Sequence, residues 1–167
     1  MMKWEIERKF LVKGDTWRGQ GQSRILRQGY LARTADRVVR VRQDGDQGFL
    51  TIKIRSGTDL TRSEFEYEIP LPDALALIDS LAPGEIIEKK RHVFNELGML
   101  WEVDEYSGAN SGLIVAEVEL ESEDQPFAKP DWLGEEVSRI SRYLNVELAA
   151  KPYMGWKEEQ HLAVRQV

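Results

Sequence analysis

Eight stretches of this chain alternate polar and apolar positions with a period of two. That spacing sends successive side chains of a strand to opposite faces. In residues 4–12, Glu5, Glu7 and Lys9 share one face, and Trp4, Ile6, Arg8, Phe10 and Val12 share the other. Residues 24–34 set Gln28 and Tyr30 against Leu31. Residues 37–43 set Arg40 and Arg42 against Val39 and Val41, and 49–55 set Thr51, Lys53 and Arg55 against Leu50, Ile52 and Ile54. Residues 62–69 carry Arg62, Glu64, Glu66 and Glu68 opposite Phe65, Tyr67 and Ile69. Three further runs complete the set: 85–95 with Lys89 and Arg91 on one face, 99–106 with Glu102 and Asp104, and 113–121 with Val115, Glu117, Glu119 and Glu121 against Ala116, Val118 and Leu120.

The connections read as a loop with room for a short helical turn at 13–23, and as turns at 34–36, 95–98 and 107–112. A glycine-containing hairpin loop is expected at 44–48 and a polar loop at 56–61. Pro70-Leu71-Pro72-Asp73 opens a helix, because proline near the first helical position and an acid in the first turn both suit a helix start. Ala74, Leu75, Leu77, Ile78, Leu81 and Ala82 give it an apolar stripe, and Pro83-Gly84 ends it. Beyond Pro126–Pro130, Trp132-Leu133-Gly134 reads as a short turn. Ser138 reads as the cap of a helix reaching about Asn145. Residues 147–159 read as helical with a break at Pro152. The expected division is one domain over 1–157 and a polar tail over 158–167, with no internal repeat.

Most of the eight runs collect their ionisable residues on a single face, and this admits two architectures. A sandwich would turn those faces to solvent and bury the apolar ones. A barrel closed on itself would hold the charges inside and leave the apolar exterior for helices to cover. Small barrels usually fill with apolar side chains, so a charged interior makes sense only around a charged occupant. The mixture suits a polyanion with metal ions: arginine and lysine meet phosphate oxygens, and magnesium or manganese takes carboxylate oxygens and water.

Composition narrows the field. The chain has 167 residues, 31% of them charged, a net charge of −6, no cysteine and two histidines. Cysteine-ligated zinc, thiol nucleophiles and histidine-rich metal sites are thereby excluded. The acidic balance argues against non-specific nucleic-acid binding. No apolar run approaches the roughly 20 residues of a membrane span, and no signal peptide is legible, so a cytoplasmic protein is expected. Phosphate-loop, nucleophile-elbow and metalloprotease patterns are missing too. His92, Trp132 and Trp156 read as structural.

Glu5-Ile6-Glu7-Arg8-Lys9-Phe10-Leu11 matches the ExExK signature of the CYTH superfamily, the triphosphate tunnel metalloenzymes. The order of the later motifs strengthens that resemblance: Gln28-Gly29-Tyr30, Arg40-Val41-Arg42, Thr51-Ile52-Lys53, Arg62-Ser63-Glu64-Phe65-Glu66, Lys89-Lys90-Arg91, Trp101-Glu102-Val103-Asp104 and Ala116-Glu117-Val118-Glu119 resemble the family's successive strand motifs. Trp132 to Ser138 and Tyr143-Leu144-Asn145 are similar to its C-terminal segment. Ser138 stands where threonine is common, and Arg139-Ile140-Ser141 replaces a stretch that is often acidic, so no metal-binding role is carried over to that segment.

The resemblance implies a strand-dominated α+β fold: an eight-stranded antiparallel closed β-barrel tunnel with a charged interior and helices packed outside. It also implies action on a triphosphate-containing small molecule with Mg2+ or Mn2+. The expected reaction is hydrolysis of inorganic triphosphate to diphosphate and phosphate, by a monomer or homodimer. A nucleoside or thiamine triphosphatase, a class IV-type adenylate cyclase and a non-catalytic polyphosphate-binding module are the alternatives. Glu5, Glu7 and Glu119 lead the expected metal ligands, with Glu64, Glu66, Asp104 and Glu117 as further candidates. Arg40, Arg42, Lys53, Arg62, Lys89 and Arg91 are expected to hold phosphates. Lys9 and Tyr30 are placed at the attacking water: either neighbouring cations push the Lys9 pKa down and make it a base, or a metal-bound water is the nucleophile and Lys9 is only a phosphate-binding charge.

Overall fold

Strand β1 (Met2–Val12) closes the sheet. Its first half pairs with β5 (Thr61–Ile69) and its second half with β8 (Ile114–Glu119). Between those two edges run β4 (Gln47–Arg55), β3 (Arg37–Asp44), β2 (Gln22–Arg33), β6 (Ile87–Glu96) and β7 (Met99–Tyr106), each hydrogen-bonded to the next in antiparallel register. The result is the eight-stranded closed barrel, and the open sandwich is excluded by the β1–β5 and β1–β8 pairings together. The structure, a computed structural model, describes residues 2–55 and 61–156. The tail expected at 158–167, the side chain of Trp4 and the 56–61 loop lie outside the described residues, apart from the backbone of Thr61 in β5.

The alternation read from the sequence maps directly onto inside and outside. Outward-facing Phe10, Trp101, Val103, Ala116 and Val118 form one core with Trp17, Phe94, Trp132 and Leu133 laid over them. A second core forms where helix α1 (Leu71–Asp79) covers the outer face of β3 and β4 through Ala74 and Ile78, both fully buried, against Val41. Gly48 lets that helix lie flat, because a Cβ there would stand 2.7 Å from the Ala74 Cβ and 2.9 Å from the Ile69 carbonyl oxygen. The third core plugs one end of the barrel. Helix α2 (Asn145–Ala150) sends Leu148 and Ala149, with Trp156, onto Ile87, Tyr106 and Val115.

Several local expectations change. Residues 133–136 are not a turn but a ninth strand, β9 (Leu133–Glu136), which lies beside the second half of β1. Its hydrogen bonds are to a strand more than a hundred residues away, which local turn chemistry cannot register. Ser138 caps no helix: its Oγ accepts the Lys9 backbone N–H at 2.9 Å, and the next helical turn is a short one at Ser141–Tyr143. The 44–48 and 95–98 loops shrink to two residues, because Asp44 pairs with Gln47 and Glu96 with Met99. Positive φ at Gly45 in the first, and at Leu97 and Gly98 in the second, permits turns that tight. The helical break at Pro152 is present, with helix resuming at 153–156.

Candidate active site

The barrel interior is built row by row from cross-strand neighbours. Tyr30, Arg40, Thr51 and Glu66 stand side by side on β2, β3, β4 and β5. Lys9, Glu117 and Glu102 do so on β1, β8 and β7, and Arg91 neighbours Asp104. Two cavities of about 510 and 310 Å3 occupy this lumen and share Glu7, Arg40, Lys53 and Asn145 as walls. The larger reaches the end covered by Ser141–Glu147, and cations outnumber carboxylates along it. The smaller reaches the opposite end, and there carboxylates outnumber cations.

Thirteen of the fifteen residues singled out from the sequence line these cavities: Glu5, Glu7, Lys9, Tyr30, Arg40, Arg42, Lys53, Arg62, Glu64, Glu66, Arg91, Glu117 and Glu119. Lys89 and Asp104 do not. Both side chains are wholly buried and paired at 2.5 Å. Asp104 also accepts two bonds from the Arg91 guanidinium, Nε at 2.7 Å and Nη2 at 2.8 Å. Burial would raise the Asp104 carboxyl, but Arg91 and Lys89 outweigh that and hold it below the usual range. With both oxygens taken by cations, Asp104 positions Arg91 and offers no oxygen to the lumen in this arrangement.

The network continues inward. Arg91 Nη2 donates to Glu117 Oε2 at 3.3 Å, and Lys9 Nζ lies 2.8 Å from Glu117 Oε1. Burial opposes the Lys9 ammonium, yet Glu117 and Glu7 outweigh it and raise its pKa. The expectation of a lowered pKa at Lys9 is therefore corrected: its nearest charges are carboxylates contributed by β8 and by β1 itself. The amine that burial does pull down is Lys89, to about 8. On the other wall, Lys53 Nζ bridges Glu5 at 2.5 Å and Glu64 at 3.0 Å.

Two strains run through the site. Burial, Arg40 and Arg91 lower Arg42 to about 10, so cations crowd one another around it. Glu7 faces Glu119 directly across the β1–β8 ladder, and like charges so placed repel. Burial, then Glu117 and Glu5, pushes the Glu7 carboxyl up to about 7. An anion would relieve the first strain and a divalent cation the second. Oxygen donors alone make up the acidic wall, which suits magnesium or manganese. Among the described residues no three acidic or histidine side chains already converge as a ready-made metal group; Lys9 and Lys53 stand between them.

Gln28 and Thr51 fall within the strand motifs, and their side chains tie the lumen together. Gln28 takes a bond from Arg42 Nε at 3.0 Å and donates to the Tyr30 hydroxyl at 3.1 Å. Thr51 Oγ1 receives Arg40 Nη2 at 3.0 Å and donates to Glu66 at 3.0 Å. No local pattern marks Asn145, since its partner Tyr106 lies on another element. His92 packs on Trp17 outside the barrel, at 5.0 Å between ring centres, and Trp132 and Trp156 are core residues, as expected.

Comparison with known proteins bears on this lumen. Residues 3–153 match the CYTH domain family. The chain is 46% identical over 154 residues to the inorganic triphosphatase of Acetivibrio thermocellus, covering 92% of this chain and 98% of that one. It is 40% identical over 150 residues to the inorganic triphosphatase of Nitrosomonas europaea, covering 87% and 96%. A solved inorganic triphosphatase structure superposes with a TM-score of 0.65 at 38% identity, covering 87% of this chain and 93% of that one.

Proposed function

The chain belongs to the CYTH domain family, and we propose that it is a divalent-metal-dependent triphosphatase that cleaves inorganic triphosphate to diphosphate and phosphate. The observation that carries the reading is the closed barrel whose lumen is rich in arginine and lysine toward one end and in carboxylates toward the other. That division suits a metal–triphosphate complex better than either ion alone. The names of the relatives support the same substrate.

Glu5, Glu7 and Glu119, with Glu117 beside them, would hold Mg2+ or Mn2+. Bound there, the ion would screen phosphate charge and lower the pKa of a coordinated water. Arg40, Arg42, Lys53, Arg62 and Arg91 would grip non-bridging phosphate oxygens, and guanidinium groups do so bidentately. Glu64 and Glu66 hold Lys53 and Arg40 in place. Lys9 remains protonated between Glu117 and Glu7 and acts as a phosphate-binding charge. Gln28 donates to the Tyr30 hydroxyl and so leaves the phenolic proton free for a phosphate oxygen. Hydrolysis forms a bond from the water oxygen to a terminal phosphorus and breaks the anhydride bond to diphosphate. These groups supply positioning and charge to that displacement.

No described helix is long and apolar enough to cross a membrane; we place the protein in the cytoplasm, as a monomer or homodimer. The deciding assay offers triphosphate, ATP and thiamine triphosphate with Mg2+ and with Mn2+. Release of phosphate and diphosphate from triphosphate in preference to the others is expected. Cyclic AMP from ATP, preference for an organic triphosphate, or tight binding without turnover would each overturn the reading.

A further inference from the structure

Asn145 opens α2, yet its side chain lines both lumen cavities, one of the few residues to do so. It comes from the C-terminal segment rather than from a barrel strand. The segment is held down independently of it: Leu148 is fully buried in the end-plug core, and Glu147 is ion-paired to Arg33 at the end of β2. A side chain carried by such a seated segment has a fixed place in the lumen.

Its orientation is fixed as well. The Tyr106 hydroxyl donates to Asn145 Oδ1 at 2.6 Å. Tyr106 is buried, and burial, with the nearby Asp104 and Glu117 charges, pushes its phenol well above the usual range. It therefore keeps its proton and acts as a donor. A carboxamide whose oxygen is turned to Tyr106 must turn its two N–H donors elsewhere. The Tyr106 bond is the one hydrogen bond this side chain makes among the described residues, so those donors remain available at the junction of the two cavities. They are neutral donors.

We propose that Asn145 is a substrate-contacting residue: its Nδ2 donates to a phosphate oxygen of bound triphosphate, and Tyr106 is the positioning residue that aims it. The inference rests on the triphosphatase reading. It makes the C-terminal segment part of the binding site, so that occupancy by triphosphate and seating of α2 favour one another.

Asn145→Asp is the informative variant. It keeps an oxygen for Tyr106 but replaces the donors with a carboxylate facing the phosphate. Calorimetric titration with inorganic triphosphate in metal-free buffer reads binding without turnover. We expect the Kd of Asn145→Asp to rise about tenfold or more, with the ligand-free thermal midpoint unchanged. Tyr106→Phe should weaken binding less, and should add nothing in the Asn145→Asp background. Unchanged affinity in Asn145→Asp overturns the proposal. So does a fall in its ligand-free midpoint that accounts for the weaker binding, or an effect of Tyr106→Phe that is the same in both backgrounds. Should the parent itself neither bind nor hydrolyse triphosphate, the functional reading falls first and takes this inference with it.

Discussion

Glu7 sits where the lumen is least comfortable. Its carboxyl is raised from the ordinary 4.5 to about 7 by burial, Glu117 and Glu5. A carboxyl raised on folding favours the folded state in its protonated form. Its contribution is complete below pH 4.5 and is lost as pH climbs through 7. Glu7→Gln cannot lose it, so metal-free Glu7→Gln should outlast the parent above pH 7, by on the order of 2 kcal/mol after discounting partial exposure. The same variant should need more Mg2+ for activity. Thermal melts across pH in the presence of a chelator, with a Mg2+ titration of turnover, check both; a stability difference that ignores pH would remove the carboxylate cluster as its source. Asp104→Asn leaves Lys89 and Arg91 buried without their counter-charge and should cost about 3–5 kcal/mol by denaturant unfolding. Lys9→Arg keeps a cation between Glu117 and Glu7. Turnover within about tenfold of the parent is expected if Lys9 serves only as charge, whereas collapse of kcat with triphosphate affinity intact would restore it as a base.

Strand β9 clamps the stretch of β1 that carries Glu7 and Lys9. The Val137 N–H donates to the Lys9 carbonyl at 2.8 Å, Ser138 receives the Lys9 N–H, and Arg8 is ion-paired with Glu136. Both backbone groups of Lys9 are thereby fixed while its side chain faces the lumen. Gly134 is what lets β9 approach: a Cβ there would stand 2.8 Å from the Leu11 carbonyl oxygen and 3.1 Å from its carbon. Backbone cannot yield as a flexible side chain does, so Gly134→Ala should destabilise by about 1–3 kcal/mol. It should also lower kcat by shifting the strand that carries Glu7 and Lys9. Unfolding curves and steady-state rates test this pair of effects, and a stable variant of undiminished kcat would separate β9 from the site.

At the scale of the barrel, Glu7 and Arg42 are both held in unfavourable charge surroundings that a matching ligand would relieve. Ligands that bind the folded form alone stabilise it by linkage, about 2.7 kcal/mol at a hundred times Kd. For a domain of this size that raises the thermal midpoint by roughly 5–10 °C. Triphosphate at millimolar concentration should produce that shift, larger with Mg2+ than without, and single phosphate should produce little. A midpoint indifferent to triphosphate would mean that the lumen charges neutralise one another and await no ligand.

Much of this was legible in the chain alone. Period-two alternation is a property of the backbone, so it placed Lys53 with Thr51, and Glu64 with Glu66, on one face without knowledge of what that face would meet. The order of charged motifs, with its resemblance to the CYTH superfamily, then selected a barrel over a sandwich. What alternation cannot carry is which strand lies opposite which, because that depends on contacts between distant segments. Only the closed structure sets Glu117 against Lys9, which reverses the expected pKa shift of the amine, and only it buries Asp104 beneath Arg91 instead of in the lumen. Strand β9 and the place of Asn145 were hidden for the same reason. Each is defined by a partner on another element, β1 for the strand and Tyr106 for the amide, and neither partnership leaves a trace in local spacing.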